Sequence, residues 1–151
     1  MNGAPSTYSE WNRVLKELKA GNNDQAVLET MKHGTLDWQG GVAERFCQKL
    51  SDAVQSRLDS AVKRFQNAMT HAGMSEGEIV NAILLLRREL SFLYEAVDLP
   101  FIPDETRSSF TGLIIRQGES IQESLEDSAR SDRSGKLSSI IRNHRVDTIK
   151  A

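Results

Sequence analysis

The chain has 151 residues, a formal net charge of −2, 38% hydrophobic and 26% charged residues, and only three prolines. That length suits one domain able to bury a core without metal or disulfide help, and the near-neutral charge excludes a strongly basic nucleic-acid binder as the starting assumption. A single cysteine, Cys47, excludes an internal disulfide, and no apolar run approaches the ~20 residues needed to span a bilayer. The first seven residues carry neither basic residue nor apolar run and read as a flexible start without a conventional leader, so the expected location is cytoplasmic, with leaderless export as the alternative.

Tyr8, Trp11, Val14, Leu15 and Leu18 share one face of a first helix over 8–20. Gly21-Asn22-Asn23 stops it, and Asp24 reads as the N-cap of a short second helix carrying Val27, Leu28 and Met31. After Gly40-Gly41, apolar residues recur at steps of three or four from Ala43 to Ala72, which predicts an uninterrupted helix over 41–72, roughly 48 Å long at ~1.5 Å per residue. Gly73 suits a C-cap, and Ser75-x-x-Glu78 fits a capping box for a helix over 76–97.

That fourth helix contains Leu84, Leu85 and Leu86, which spread over some 200° of its surface at ~100° per residue. One neighbouring helix cannot cover such an arc, so the helix is either central to a bundle or half of an interface. Arg87 and Arg88 follow, either with stems lying on apolar neighbours or as contacts to acidic groups of a partner.

Leu99-Pro100-Phe101-Ile102-Pro103 is a stiff linker, and Asp104 is expected to cap a helix to about Ala129. Gly112 and Gly118 weaken that helix, which suggests tight packing or a bend. Residues 130–151 carry Arg130, Arg133, Lys136, Arg142, Arg145 and Lys150 against only Asp132 and Asp147. With Leu137, Ile140 and Ile141 on one side, this basic segment either docks on an anionic partner such as nucleic acid or folds back on the acidic body. The expected architecture is therefore all-α: an antiparallel helical bundle over 8–129, with three long helices and short flanking ones, followed by the basic segment.

Catalytic and metal chemistry find little support. Glu29 and His33 stand four apart on one face, a spacing common by chance, and Cys47 lies on the apolar stripe of the long helix with no activating base marked beside it. No glycine loop matches a phosphate cradle, so neither a cofactor nor a metal is expected, nor an enzyme. A non-catalytic interaction module (adaptor, chaperone or assembly subunit) is the leading expectation, engaging another protein or a second copy through Leu84, Leu85, Leu86, Arg87, Arg88 and Tyr94.

Trp38-Gln39-Gly40, followed by Ala43 and Phe46, resembles the Trp-x-Gly turn of the small helical-hairpin proteins exported by type VII secretion systems. Tyr94 and Asp98 match the Tyr-x-x-x-Asp/Glu signal that follows the hairpin in that family. The resemblance covers at most residues 8–98. It implies a chain reversal at Gly40, clamped by Trp38, and a role as substrate or partner of such a system. The breaks at Gly21-Asn22-Asn23, Gly34 and Gly73, and some fifty residues beyond Asp98, depart from the family pattern.

Overall fold

The structure, a computed structural model, describes residues 4–70, 75–131 and 135–149. The expected C-cap at Gly73, and Arg133 and Lys150 of the basic segment, lie outside these residues. The described chain is an all-α helical bundle of six helices: α1 (Tyr8–Ala20), α2 (Asp24–Lys32), α3 (Gly40–Met69), α4 (Glu76–Val97), α5 (Asp104–Arg130) and α6 (Lys136–Asn143). Three are long, as the periodicity requires. By its contacts the chain divides into two compact units, Met1–Leu58 with Glu95–Thr111, and Asp59–Tyr94 with Gly112–Ala151. The described residues of the basic segment fall within the second unit.

In the first unit, α1 starts at a reciprocal cap. The Thr7 hydroxyl accepts from the Glu10 amide at 3.2 Å, and the Glu10 carboxylate accepts from the Thr7 amide at 3.1 Å, so two of the helix's orphan donors are satisfied. Pro5 is buried and its carbonyl accepts from Thr35 N at 2.9 Å, so the residues just before α1, expected to belong to a flexible start, are held. At its other end α1 stops at Gly21, whose φ of 74° suits glycine.

Asp24 is not the N-cap of α2. Asn23 takes that place without a side-chain cap, and Asp24 is the first helical residue. Its carboxylate is drawn instead to Arg57 of α3, at 2.7 and 2.8 Å. Asp104 likewise lies inside α5, where it pairs with Arg107; the amide of Arg107 bonds to Pro103 O. At α4, by contrast, the Ser75 hydroxyl accepts from the Glu78 amide at 3.2 Å, as the capping box requires.

Tyr8 meets Arg45, Trp11 meets Phe46, and Lys19 meets Asp52. The numbers rise together, so α1 and α3 run parallel, while α2 returns between them in sequence from Arg57 toward the start of α3. Trp11 is fully buried, donates its indole N–H to Thr35 O at 2.7 Å, and packs against Phe46 and Phe101, each at 5.2 Å between ring centroids. Trp38 adds its ring to Phe46 at 5.7 Å. These edge-on and tilted contacts are the preferred aromatic geometry and add to plain area burial.

The second unit is closed by the segment after α6. Val146 and Ile149 are buried, the Ser91 hydroxyl donates to Ile149 O at 2.6 Å, and the Val146 amide donates to the buried Gln122 Oε1 at 3.0 Å. Gly118 of α5 explains its own weak helix propensity here. A Cβ on it would lie 2.8 Å from Ile149 Cδ1 and 3.5 Å from both Asp147 Cα and Leu90 Cδ1, so the missing side chain makes room for the closing segment.

Candidate interaction face

The three consecutive leucines of α4 meet three different fates. Leu86 is 3% exposed and belongs to the core; Leu84 is half-buried; Leu85 is 52% exposed. Ala82, Ile83, Leu90, Leu93, Ala96 and Val97 are buried as well. Most of the apolar side chains of α4 are thus buried or half-buried, and Leu85 is the large one left exposed. Leu85 stands on a stripe with Glu78, Asn81 and Arg88, all exposed, and half-buried Phe92 one heptad further on.

The two arginines also part. Arg88 is exposed, whereas Arg87 is half-buried and donates to Arg145 O at 3.2 Å, helping to hold the closing segment. Tyr94 is half-buried rather than displayed, and exposed Asp98 has Arg107 Nε at 3.7 Å. Leu86 and Arg87 therefore leave the set of partner-contacting candidates: one is buried and the other is committed to its own unit.

In the basic segment two of the described cations are paired within the chain. Arg145 forms two 2.9 Å bonds to Asp147 and lies 3.6 Å from Glu126, and Arg130 pairs with Asp127. Lys136 and Arg142 are exposed, but the apolar side of α6 is inward through Ile140 and Ile141. The described part of this segment thus packs on its own unit, and anion binding by Arg130 and Arg145 would compete with carboxylates already in place.

At the Trp-x-Gly turn, Trp38 and Phe46 are in contact, but Gly40 is not needed for chain reversal. Its φ is not positive, a Cβ there would meet nothing within 4 Å, and it opens α3. Trp38 lies in the connection between α2 and α3 and packs inward on Phe46 and Phe101.

His33 Nδ1 lies 2.9 Å from its own helix's Glu29 O and 3.7 Å from the Glu29 carboxylate; no group of three or more His, Cys, Asp or Glu able to hold a metal occurs among the described residues. Cys47 is half-buried, and burial pushes its thiol pKa up, away from the thiolate a nucleophile requires.

Sequence reasoning missed two residues that organise the first unit. Arg57 had no periodic role to mark it. Thr7 did: Thr7-x-x-Glu10 is the same capping pattern as Ser75-x-x-Glu78. No helix among the described residues is long and apolar enough to cross a membrane. No family model, no curated protein and no solved structure matches the chain.

Proposed function

We propose that the chain is a non-catalytic helical interaction module that engages a protein partner along the outer stripe of α4. The observation that carries this reading is Leu85, with 52% of its surface open on a helix whose other leucines turn inward or half inward. Arg88 stands beside it, so the matching surface is an amphipathic helix presenting one apolar side chain flanked by carboxylates. Magnitude sets the kind of contact. Covering the open half of one leucine is worth about 1 kcal/mol, far short of what a permanent dimer needs, so the engagement is transient and depends on its polar surroundings.

A photo-crosslinking residue placed at position 85 in cells is expected to capture a discrete protein, with a control at exposed Glu123 capturing none. Leu85→Asp should abolish binding of that protein while leaving helicity and melting temperature unchanged. Equal labelling at 85 and 123 would overturn the reading.

A second reading, a substrate or partner of type VII secretion, is favoured by one contact, the Trp38 ring on Phe46 in the connection between two helices. Export to the medium by a strain with an active system, lost on Tyr94→Ala or Asp98→Ala, is its expected result. Retention of the native chain in the cells would remove it.

A further inference from the structure

In the first unit a groove of about 670 Å³ lies between the start of α1 and the α3 turns beyond Arg45, lined by Tyr8, Arg45, Gln48, Lys49, Ser51 and Asp52. Its size is that of a small-molecule site. We infer that this groove binds a phosphate monoester, with Arg45 and Lys49 as the charged donors.

Arg45 and Lys49 stand four apart on α3, so their like charges face each other across one helical turn, an unfavourable placement in an isolated helix. Lys19 has Asp52, Arg57 has Asp24 and Arg145 has Asp147 as ion-pair partners. Among the described residues no carboxylate lies within ion-pair distance of Arg45 or Lys49. Asp52 offsets part of this charge electrostatically, yet Arg45, Lys49 and Lys19 around that one carboxylate leave the groove net positive, which an anion would offset.

The groove also orients its donors. The Arg45 guanidinium carbon sits 5.0 Å from the centroid of the Tyr8 ring, a cation–π contact that restrains the side chain without using its N–H groups. Those N–H groups remain available as a fork for phosphate oxygens. Lys49 adds a second charge one turn on, and the Tyr8 and Ser51 hydroxyls and Gln48 amide add neutral donors. The one acid in the lining, Asp52, is 2.9 Å from Lys19 Nζ, and that hydrogen bond holds its carboxyl below its usual range. Its charge is thus already balanced before an anion arrives. Two cations with hydroxyl donors suit the dianion of a phosphate monoester, which offers three oxygens, better than a single carboxylate.

The test is an amide and arginine side-chain NMR titration of the full chain with glycerol 3-phosphate at low salt, with inorganic sulfate as a second probe. Saturable shifts at Arg45, Lys49 and Ser51 are expected, with glycerol 3-phosphate binding more tightly than sulfate and both weakening as salt rises. Arg45→Gln and Lys49→Gln should each weaken binding by roughly tenfold, and Tyr8→Leu should weaken it while Tyr8→Phe, which keeps the ring, does so less. Sedimentation with phosphatidic acid vesicles, against phosphatidylcholine vesicles, separates a lipid headgroup from a free monoester as the source of the phosphate. No saturable shift with either source, or binding unchanged in the Arg45→Gln/Lys49→Gln double variant, overturns the inference. Both residues are exposed, so these substitutions leave the fold in place, as circular dichroism will verify. Leu85→Asp should not alter phosphate binding, which keeps this outcome separate from that of the α4 face.

Discussion

Arg57 and Asp24 meet in a two-pronged ion pair, Nη1 to Oδ1 at 2.7 Å and Nη2 to Oδ2 at 2.8 Å, and Nη1 also donates to Leu18 O at 3.0 Å. One side chain of α3 thereby holds the last turn of α1 and the first turn of α2, where a carbonyl lacks its helical donor and a carboxylate is favoured by the helix dipole. The Arg57 side chain is only 9% exposed, and its guanidinium passes over Gly21, which has space for it.

Arg57→Ala should therefore cost about 2 kcal/mol, the scale of losing charged hydrogen bonds at a partly buried site. Arg57→Lys should recover only part of this, because an ammonium cannot reproduce the fork. Urea denaturation of the two variants and the wild type measures both.

Gly34 and Gly40 should respond oppositely to alanine. A Cβ at Gly34 would run into the Trp11 ring, which is fully buried and hydrogen-bonded to Thr35, and would lie 2.9 Å from Pro5. Gly34→Ala is expected to destabilise by ~1–3 kcal/mol through overpacking. Gly40 faces open space, so Gly40→Ala should be neutral or stabilise by up to ~1 kcal/mol from helix propensity. Thermal denaturation distinguishes the signs.

Removing the side chains that close the second unit should weaken it measurably. Ile149→Ala is expected to cost about 2–3 kcal/mol and Ser91→Ala about 1 kcal/mol. Gly118→Leu should be worse than Gly118→Ala, since a single methyl meets only the movable tip of Ile149 whereas a longer chain meets the segment itself. Amide hydrogen exchange at Val146, whose N–H is held by Gln122, should accelerate in all of these variants.

The α1 cap predicts an acid-sensitive contribution. Amide hydrogen bonds from Ser6 and Thr7 hold the Glu10 carboxyl below its usual range, and Lys19 does the same for Asp52. A folded-state pKa below the unfolded value stabilises the fold above the unfolded pKa, and the contribution disappears as pH falls through the lowered one. Melting temperatures measured from about pH 7 down to about pH 3 should fall less steeply for Glu10→Gln than for the wild type.

Periodicity and punctuation made the helices legible: Gly21 ends α1, Ser75 and Glu78 open α4, and the proline linker separates α4 from α5. What stayed hidden were choices made by residues far apart in sequence. Asp24 looks like a cap until Arg57, thirty-three positions later, competes for it. Gly118 marked a close approach, but nothing local said that Ile149 would make it. The leucine triplet showed that α4 had too much apolar surface for one neighbour, yet a central helix satisfies that demand as well as a partner does. Leu85 alone could not be separated from Leu84 and Leu86 without knowing the helix's rotation.

Because the ribosome makes α4 and α5 before the segment that carries Val146 and Ile149, the side chains beneath that segment emerge with their lid still unsynthesised. Until that segment docks, Leu90 and the bare backbone at Gly118 lack the cover that Ile149 gives them. Final closure of the second unit is thus a late event in the life of each molecule, timed by translation.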